Sequence, residues 1–205
     1  MHASKGKQMN KWQLPIVLAS ASPRRAKLLE EAGIETLTIL PECDDGVFQC
    51  GTMCVERWVQ TLAVYKALHA LSRCDEQRGT MLGADTVCVV DGNIIGQPQN
   101  IEDARNMLHL MMNRSHDVHT GWCLASLRGE HLDCGCEQSE ITIGTIDEEE
   151  IEKYLCTNRW KGKAGGYNLS ERVNAGWPIV CTGDPTTVMG LPMNRLKQEL
   201  FRSGN

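Results

Sequence analysis

The residues of this sequence that could do chemistry stand in four separated places. Ser20-Ala21-Ser22-Pro23-Arg24-Arg25 puts two hydroxyls and two guanidiniums between a short apolar run, Ile16 to Ala19, and an amphipathic stretch carrying Leu28, Leu29 and Ala32. Ser22 suits an N-cap, Pro23 the first helical position and Gly33 a helix stop, so the spacing predicts a helix from Pro23. The helix dipole, the unpaired N–H groups and the forked arginine donors at that end suit a phosphate. An ordinary strand-to-helix turn with two solvated arginines reads equally well from these residues alone. Asp85 is the one charge in Met81 to Val90, a run apolar on both faces as in a central strand. A carboxylate there needs cations or donors around it, and such groups gather at functional sites. Lys66 falls on the apolar stripe of a helix predicted from Cys54 to Ser72, where it either snorkels to solvent or meets a carboxylate or phosphate. Lys163 precedes Gly165-Gly166-Tyr167, where glycines permit close approach of backbone to a ligand.

The elements that must position these groups alternate between strand and helix. Strands are predicted over Glu35–Leu40, Met81–Val90, Ile94–Pro98, His116–Ser126, Cys136–Ile143 and Pro178–Thr182, with helices following Ile101, Thr145 or Asp147, and Leu191. Asp91-Gly92 and Arg128-Gly129 are hairpin turns. Glu42-Cys43-Asp44-Asp45-Gly46 is an acidic turn, and on composition alone a structural turn is its simplest reading. His116 and His119 fall on opposite faces of one strand, which makes them poor joint ligands. Glu148, Glu149 and Glu150 suit the first turn of a helix better than a metal site.

Size and charge narrow the field. With 205 residues and a formal net charge of −5, the chain is long enough for one globular domain and too acidic for a general nucleic-acid surface. The ten cysteines include no C-x-x-C pair and read as reduced, buried hydrophobes of a cytoplasmic protein. Residues 1–13 read as a disordered extension and 14–205 as one domain with two lobes. No run is apolar and long enough to span a bilayer, so no membrane partner is expected.

Three ordered segments carry a family resemblance. Leu18-Ala19-Ser20-Ala21-Ser22-Pro23-Arg24-Arg25, then Gly83-Ala84-Asp85-Thr86-Val87 through Gly96 and Pro98, then Lys163-Ala164-Gly165-Gly166-Tyr167 with Val188-Met189-Gly190-Leu191-Pro192, resemble the Maf family of nucleoside triphosphate pyrophosphatases. The resemblance implies an α/β fold, a mixed twisted sheet in two lobes around a central cleft, similar to the inosine-triphosphatase architecture. It implies hydrolysis of a nucleoside triphosphate between the α and β phosphates, with Mg²⁺ or Mn²⁺ as cofactor, and it is compatible with a homodimer.

Carried over by position, Asp85 matches the catalytic carboxylate, acting as general base or metal ligand. Asp45, with Asp44, matches the metal-binding turn, and Lys66 the lysine of the second helix. Ser20, Arg24, Arg25 and Lys163 match phosphate positions. Arg24, Thr86 and Ser170 stand where the family reads the base, though Ser170 replaces the glutamine of the dTTP/UTP branch. The Gly183–Val188 segment looks more like the 7-methyl-GTP branch. Gln97 stands where a lysine is frequent, and Arg159 where an acidic residue is frequent, so the second change is expected to offset the first in part. The implied activity is nucleotide-pool house-cleaning with a pyrimidine or broad preference. A 7-methyl-GTP pyrophosphatase, or a nucleotide-binding division regulator with little turnover, is the alternative.

Overall fold

In the computed structural model, which describes residues 11–44 and 49–201, β1 (Ile16–Ala19) lies wholly buried between two parallel neighbours. These are β2 (Thr36–Ile39) and β3 (Thr80–Val90). Between β1 and β2 runs α1 (Pro23–Glu31), which starts at the proline as the spacing predicts and is followed by Gly33 at φ +68°. The crossover to β3 carries α2 (Val55–Leu71). Beyond β3 the sheet is antiparallel: β3 pairs β5 (Arg114–Ser126), β5 pairs β6 (Leu132–Ile143), and β6 pairs β7 (Ile179–Thr182). The seven-stranded sheet has the order β2-β1-β3-β5-β6-β7, with β4 (Asn93–Ile95) folded back on β3 through a turn at Asp91 and Gly92, both at positive φ. The mixed α/β sheet that the family resemblance implies is the one observed.

Side-chain alternation along β3 divides its work between two faces. On one face, Leu82 and Ala84 join β1, Leu28 and Leu29 of α1, and Leu196 and Leu200 of α7 (Met193–Leu200) in one apolar cluster. Further along the same face, Cys88 and Val90 join a second cluster formed by α3 (Ile101–Met111), α4 (Glu148–Cys156) and Leu169 of α5 (Leu169–Asn174). Thr86 separates the two clusters. It faces its register partner Thr120 across β5, Oγ1 to Oγ1 2.9 Å, and Thr120 in turn donates to the carbonyl of Thr187 at 2.7 Å, in the short α6 (Pro185–Val188). A polar seam therefore crosses an apolar face, and the cleft opens along it.

The opposite face is covered by α2, and two glycines set how closely it lies. A Cβ on Gly83 would stand 2.3 Å from the carbonyl oxygen of Ala63, and one on Gly121 2.2 Å from that of Val59. Backbone meets backbone there, so Gly83→Ala is expected to push α2 off the sheet and to cost about 1–3 kcal/mol as an overpacking change. A urea unfolding midpoint unchanged from the parent would contradict this reading of the contact.

The N-terminal boundary differs from the expected extension. Trp12 is 4% exposed, belongs to the α1/α7 cluster and meets the His131 ring edge-on at 6.4 Å, while Lys11 pairs with Asp133. The apolar indole gives the chain something to bury, so the packed body reaches back to residue 11; residues 1–10 lie outside the described segments. Among the described residues, no helix is long and apolar enough to cross a membrane.

Candidate active site

The site lies at a gap in the sheet. β1 pairs β3 only as far as Gly83, and β4 pairs it only from Cys88, so among the described residues Ala84 to Val87 have no strand beside them on that edge. An unpaired strand edge exposes carbonyls and N–H groups that need other partners. Arg25, reaching from the first turn of α1, supplies them. Its Nη1 donates to the carbonyl of Ala84 (2.9 Å) and to Ser20 Oγ (3.1 Å), Nη2 donates to Thr86 Oγ1 (3.0 Å), and Nε donates to the carbonyl of Gly190 (2.8 Å). Four hydrogen bonds thus commit most of its five N–H donors to the protein. Burial pushes the Arg25 guanidinium down from its ordinary pKa, and nearby Asp85 acts in the opposite sense.

Asp85 projects from the same gap on the α2 side. Its Oδ1 accepts from Lys66 Nζ at 2.5 Å, and both side chains are 14% exposed. Of the two fates open to a lysine on an apolar stripe, Lys66 takes the carboxylate. The tight seating of α2 on Gly83 makes this possible, because Lys66 stands one turn beyond Ala63 on the same helix face.

Two connected compartments make up the cleft, both lined by Ser22, Arg24, Arg25, Lys66, Gln97 and Gly162. The outer one, of about 540 Å³, adds Ser20, Cys43, Lys161, Lys163 and Glu171. Among the described residues its charged lining is five cations, Arg24, Arg25, Lys66, Lys161 and Lys163, against the carboxylate of Glu171. Such a wall suits a polyanion. The inner compartment, of about 190 Å³, holds Asp85 and Thr86 and is otherwise walled by Cys88, Val118, Leu169, Val188 and Met189, with Asn168 and Tyr167 as polar groups. Its accessible lining is more polar than apolar, and Leu169, Val188 and Met189 supply the apolar surface on which a flat ring can lie.

The β1–α1 turn builds one wall of the outer chamber. Ser22 occupies the N-cap position of α1 without a side-chain capping bond, and its N–H donates instead to Ser20 Oγ at 3.1 Å. Ser20, 4% exposed, therefore accepts from both Ser22 and Arg25, which leaves its hydroxyl proton to be donated. Arg24 differs from its neighbour. Its Nε is buried without a hydrogen-bond partner among the described residues, burial lowers its pKa, and the charge of Glu171 opposes that shift. On the facing wall, Lys163 opens a 3-10 turn, Ala164–Gly166, whose two glycines sit at φ +68° and +75°. Tyr167 closes that turn and hydrogen-bonds His116 Nε2 at 2.9 Å. Burial takes His116 down to about 4, so the imidazole is neutral near pH 7.

The gap thus gathers Ser20, Arg24, Arg25, Lys66, Asp85, Thr86 and Lys163 into one cleft. Ser170 is not gathered: it is exposed, lines neither compartment, and donates its hydroxyl to Asn168 Oδ1 at 2.9 Å. Arg159 is exposed after α4 and also lines neither compartment, so the added charge opposite Gln97 comes from Lys161 instead. Asp44 is exposed, next to Cys43 of the outer chamber, and Asp45 lies outside the described residues. His119 points to the α2 face, 3.9 Å from Glu56, away from Tyr167. Sequence reasoning missed Glu171 and Asn168, which belong to α5. The signal was present as Asn168 followed three residues later by Glu171, a capping pattern realised by Asn168 Oδ1 accepting from the Glu171 N–H at 3.0 Å.

A family model described as Maf-like protein matches residues 15–203, nearly the whole chain. The chain belongs to the Maf family. A dTTP/UTP pyrophosphatase from Chlorobium phaeovibrioides is 37% identical to it over 184 residues, covering 89% of this chain and 93% of the relative. One of the same name from Rhodopirellula baltica is 36% identical over 90% of this chain and 80% of the relative. Among solved structures, a nucleoside-triphosphatase / dITP/XTP pyrophosphatase from Mycobacterium abscessus aligns with a TM-score of 0.42 at 16% identity, over 63% of this chain and 74% of that one. That last likeness is too distant to carry an argument.

Among the described residues, no three His, Cys, Asp or Glu side chains stand together as a metal cage. Asp85, 14% exposed, lines the inner compartment together with Arg24, Arg25 and Lys66. That set fits magnesium, which is bound by one or two carboxylates together with substrate phosphates.

Proposed function

We propose that this chain hydrolyses a nucleoside triphosphate and water to the nucleoside monophosphate and pyrophosphate, with dTTP and UTP preferred. The observation that carries the reading is the gap in β3, where Asp85 and Lys66 from one face meet Arg25 from the other at the mouth of a chamber lined by five cations. The preference follows the names of the relatives that cover almost the whole chain.

In this reading the phosphate chain occupies the outer compartment, against Ser20, Arg24, Lys66 and Lys163. The base enters the inner compartment between Leu169, Val188 and Met189. Asp85, at the junction, acts on the water that attacks the α-phosphorus, and Lys66 orients the carboxylate and then faces the negative charge that develops. Displacement of this kind asks mainly for positioning and charge neutralisation. Asp85, joined by Asp44 and Asp45 of the acidic turn, would hold Mg²⁺ or Mn²⁺, which supplies charge neutralisation and water activation when bound. Arg24 and Thr86 influence the choice of base. Ser170, turned toward Asn168, acts on that choice only through α5. All ten cysteines are free, which suits a reducing compartment, and we place the enzyme in the cytoplasm on that ground.

The test is a panel of dTTP, UTP, CTP, GTP and 7-methyl-GTP with magnesium or manganese, scored by kcat/KM for pyrophosphate release. The expected result is dTTP and UTP at least tenfold above the purine nucleotides. A profile led by 7-methyl-GTP would move the chain to the other branch.

A further inference from the structure

The carboxylate of Glu171 stands inside the cation wall of the outer chamber, against the lysines and arginines that the phosphate chain would use. Both of its oxygens accept from Lys163 Nζ, at 3.1 and 3.3 Å. Lys163 is 12% exposed and Glu171 36% exposed, so the lysine is the buried member and the carboxylate reaches in from the rim. Glu171 also acts on Arg24, whose guanidinium its charge favours. Its backbone is fixed independently, because the N–H of Glu171 is bound by Asn168 Oδ1 and the side chain is not needed for that cap.

We infer that Glu171 is a built-in competitor for the phosphate site, a carboxylate that holds Lys163 until a polyphosphate displaces it and that takes the lysine back as pyrophosphate leaves. The inference rests on the pyrophosphatase reading of the same cleft and adds a residue that sets affinity. Burial depresses Lys163, and the hydrogen bonds it donates to Glu171 work against that depression, so the carboxylate favours the charged ammonium. A ligand that must first displace an internal partner has its Kd raised by the reciprocal of the fraction of time the site is free. Removing the carboxylate therefore tightens any ligand that reaches Lys163. It also slows product departure, so affinity rises at the expense of release.

The experiment is calorimetric titration of the full chain with inorganic pyrophosphate and, separately, tripolyphosphate, for the parent, Glu171→Gln and Lys163→Met, and the double variant. Glu130→Gln, which removes the same charge on the β5–β6 hairpin, is the control. Glu171→Gln is expected to lower Kd for both ligands about fivefold, to lower KM for dTTP in the same sense, and to strengthen product inhibition by pyrophosphate. In the Lys163→Met background the gain should vanish, as coupled neighbours require. Glu171→Ala repeats the test should the amide disturb α5. Unchanged or weaker binding in both Glu171 variants overturns the inference, as does a gain that survives without Lys163 or that Glu130→Gln reproduces. A parent that turns over dTTP while Glu171→Gln binds pyrophosphate no better fails this inference alone. A parent that neither binds pyrophosphate nor releases it fails the functional reading with it.

Discussion

Asp85→Asn is expected to lower kcat for pyrophosphate release by about a thousandfold, within the 10²–10⁴ range attributed to a positioned general base. The fold should stay intact. Asparagine has the same shape and keeps an oxygen for Lys66 Nζ, which now lies 2.5 Å from Oδ1, so the half-buried ammonium is not stranded. Asp85→Ala would take the carboxylate away from Lys66 Nζ, and breaking a buried pair by removing one partner costs several kcal/mol. The asparagine variant thus separates chemistry from stability, and its thermal midpoint should stay within a few degrees of the parent. A variant that retains turnover would take the catalytic role away from Asp85.

The second large effect divides the two arginines of the β1–α1 turn. Arg25→Met is expected to destabilise the protein by about 3 kcal/mol or more, because it leaves the carbonyls of Ala84 and Gly190 without their donors, each worth about 1–3 kcal/mol when stranded. It also frees the edge of β3 on which Asp85 stands. Arg24→Met leaves no protein acceptor stranded among the described contacts and removes a buried Nε that has no partner, so its stability cost should stay under about 1 kcal/mol. Its KM for dTTP should rise about ten- to a hundredfold, the loss of one charge-assisted contact. Denaturant unfolding and steady-state kinetics on the two variants check this. Equal effects of the two would contradict the division of Arg25 as a staple from Arg24 as the ligand-facing group.

Local chemistry made part of this site legible in the sequence. The helix start at Pro23 follows from side-chain and backbone preferences confined to a few neighbours, and so does the turn at Asp91-Gly92. Asp85 was legible because a charge in a strand apolar on both faces contradicts its surroundings. What stayed hidden depends on parts of the chain far apart. That Gly83 and Gly121 exist to seat α2 shows only when the backbone of Ala63 and Val59 lies against them. The Thr86–Thr120 seam needs the β3–β5 register. Arg25 looks identical to Arg24 until the gap in the sheet gives it four acceptors. α5, six residues long, is too short for its periodicity to register, and Glu171 went unread with it. Ser170 held a position matched to base recognition, yet its side chain turns to the cap of its own helix.

The central claim, cleavage between the α and β phosphates in a cleft built around Asp85, is tested most directly by identifying the products from dTTP. Purified protein with magnesium would be incubated with dTTP and the mixture resolved for dTMP, dTDP, pyrophosphate and orthophosphate. The expected result is dTMP and pyrophosphate in equal amounts, lost in Asp85→Asn. Formation of dTDP with orthophosphate, or no turnover by the parent protein, would contradict it.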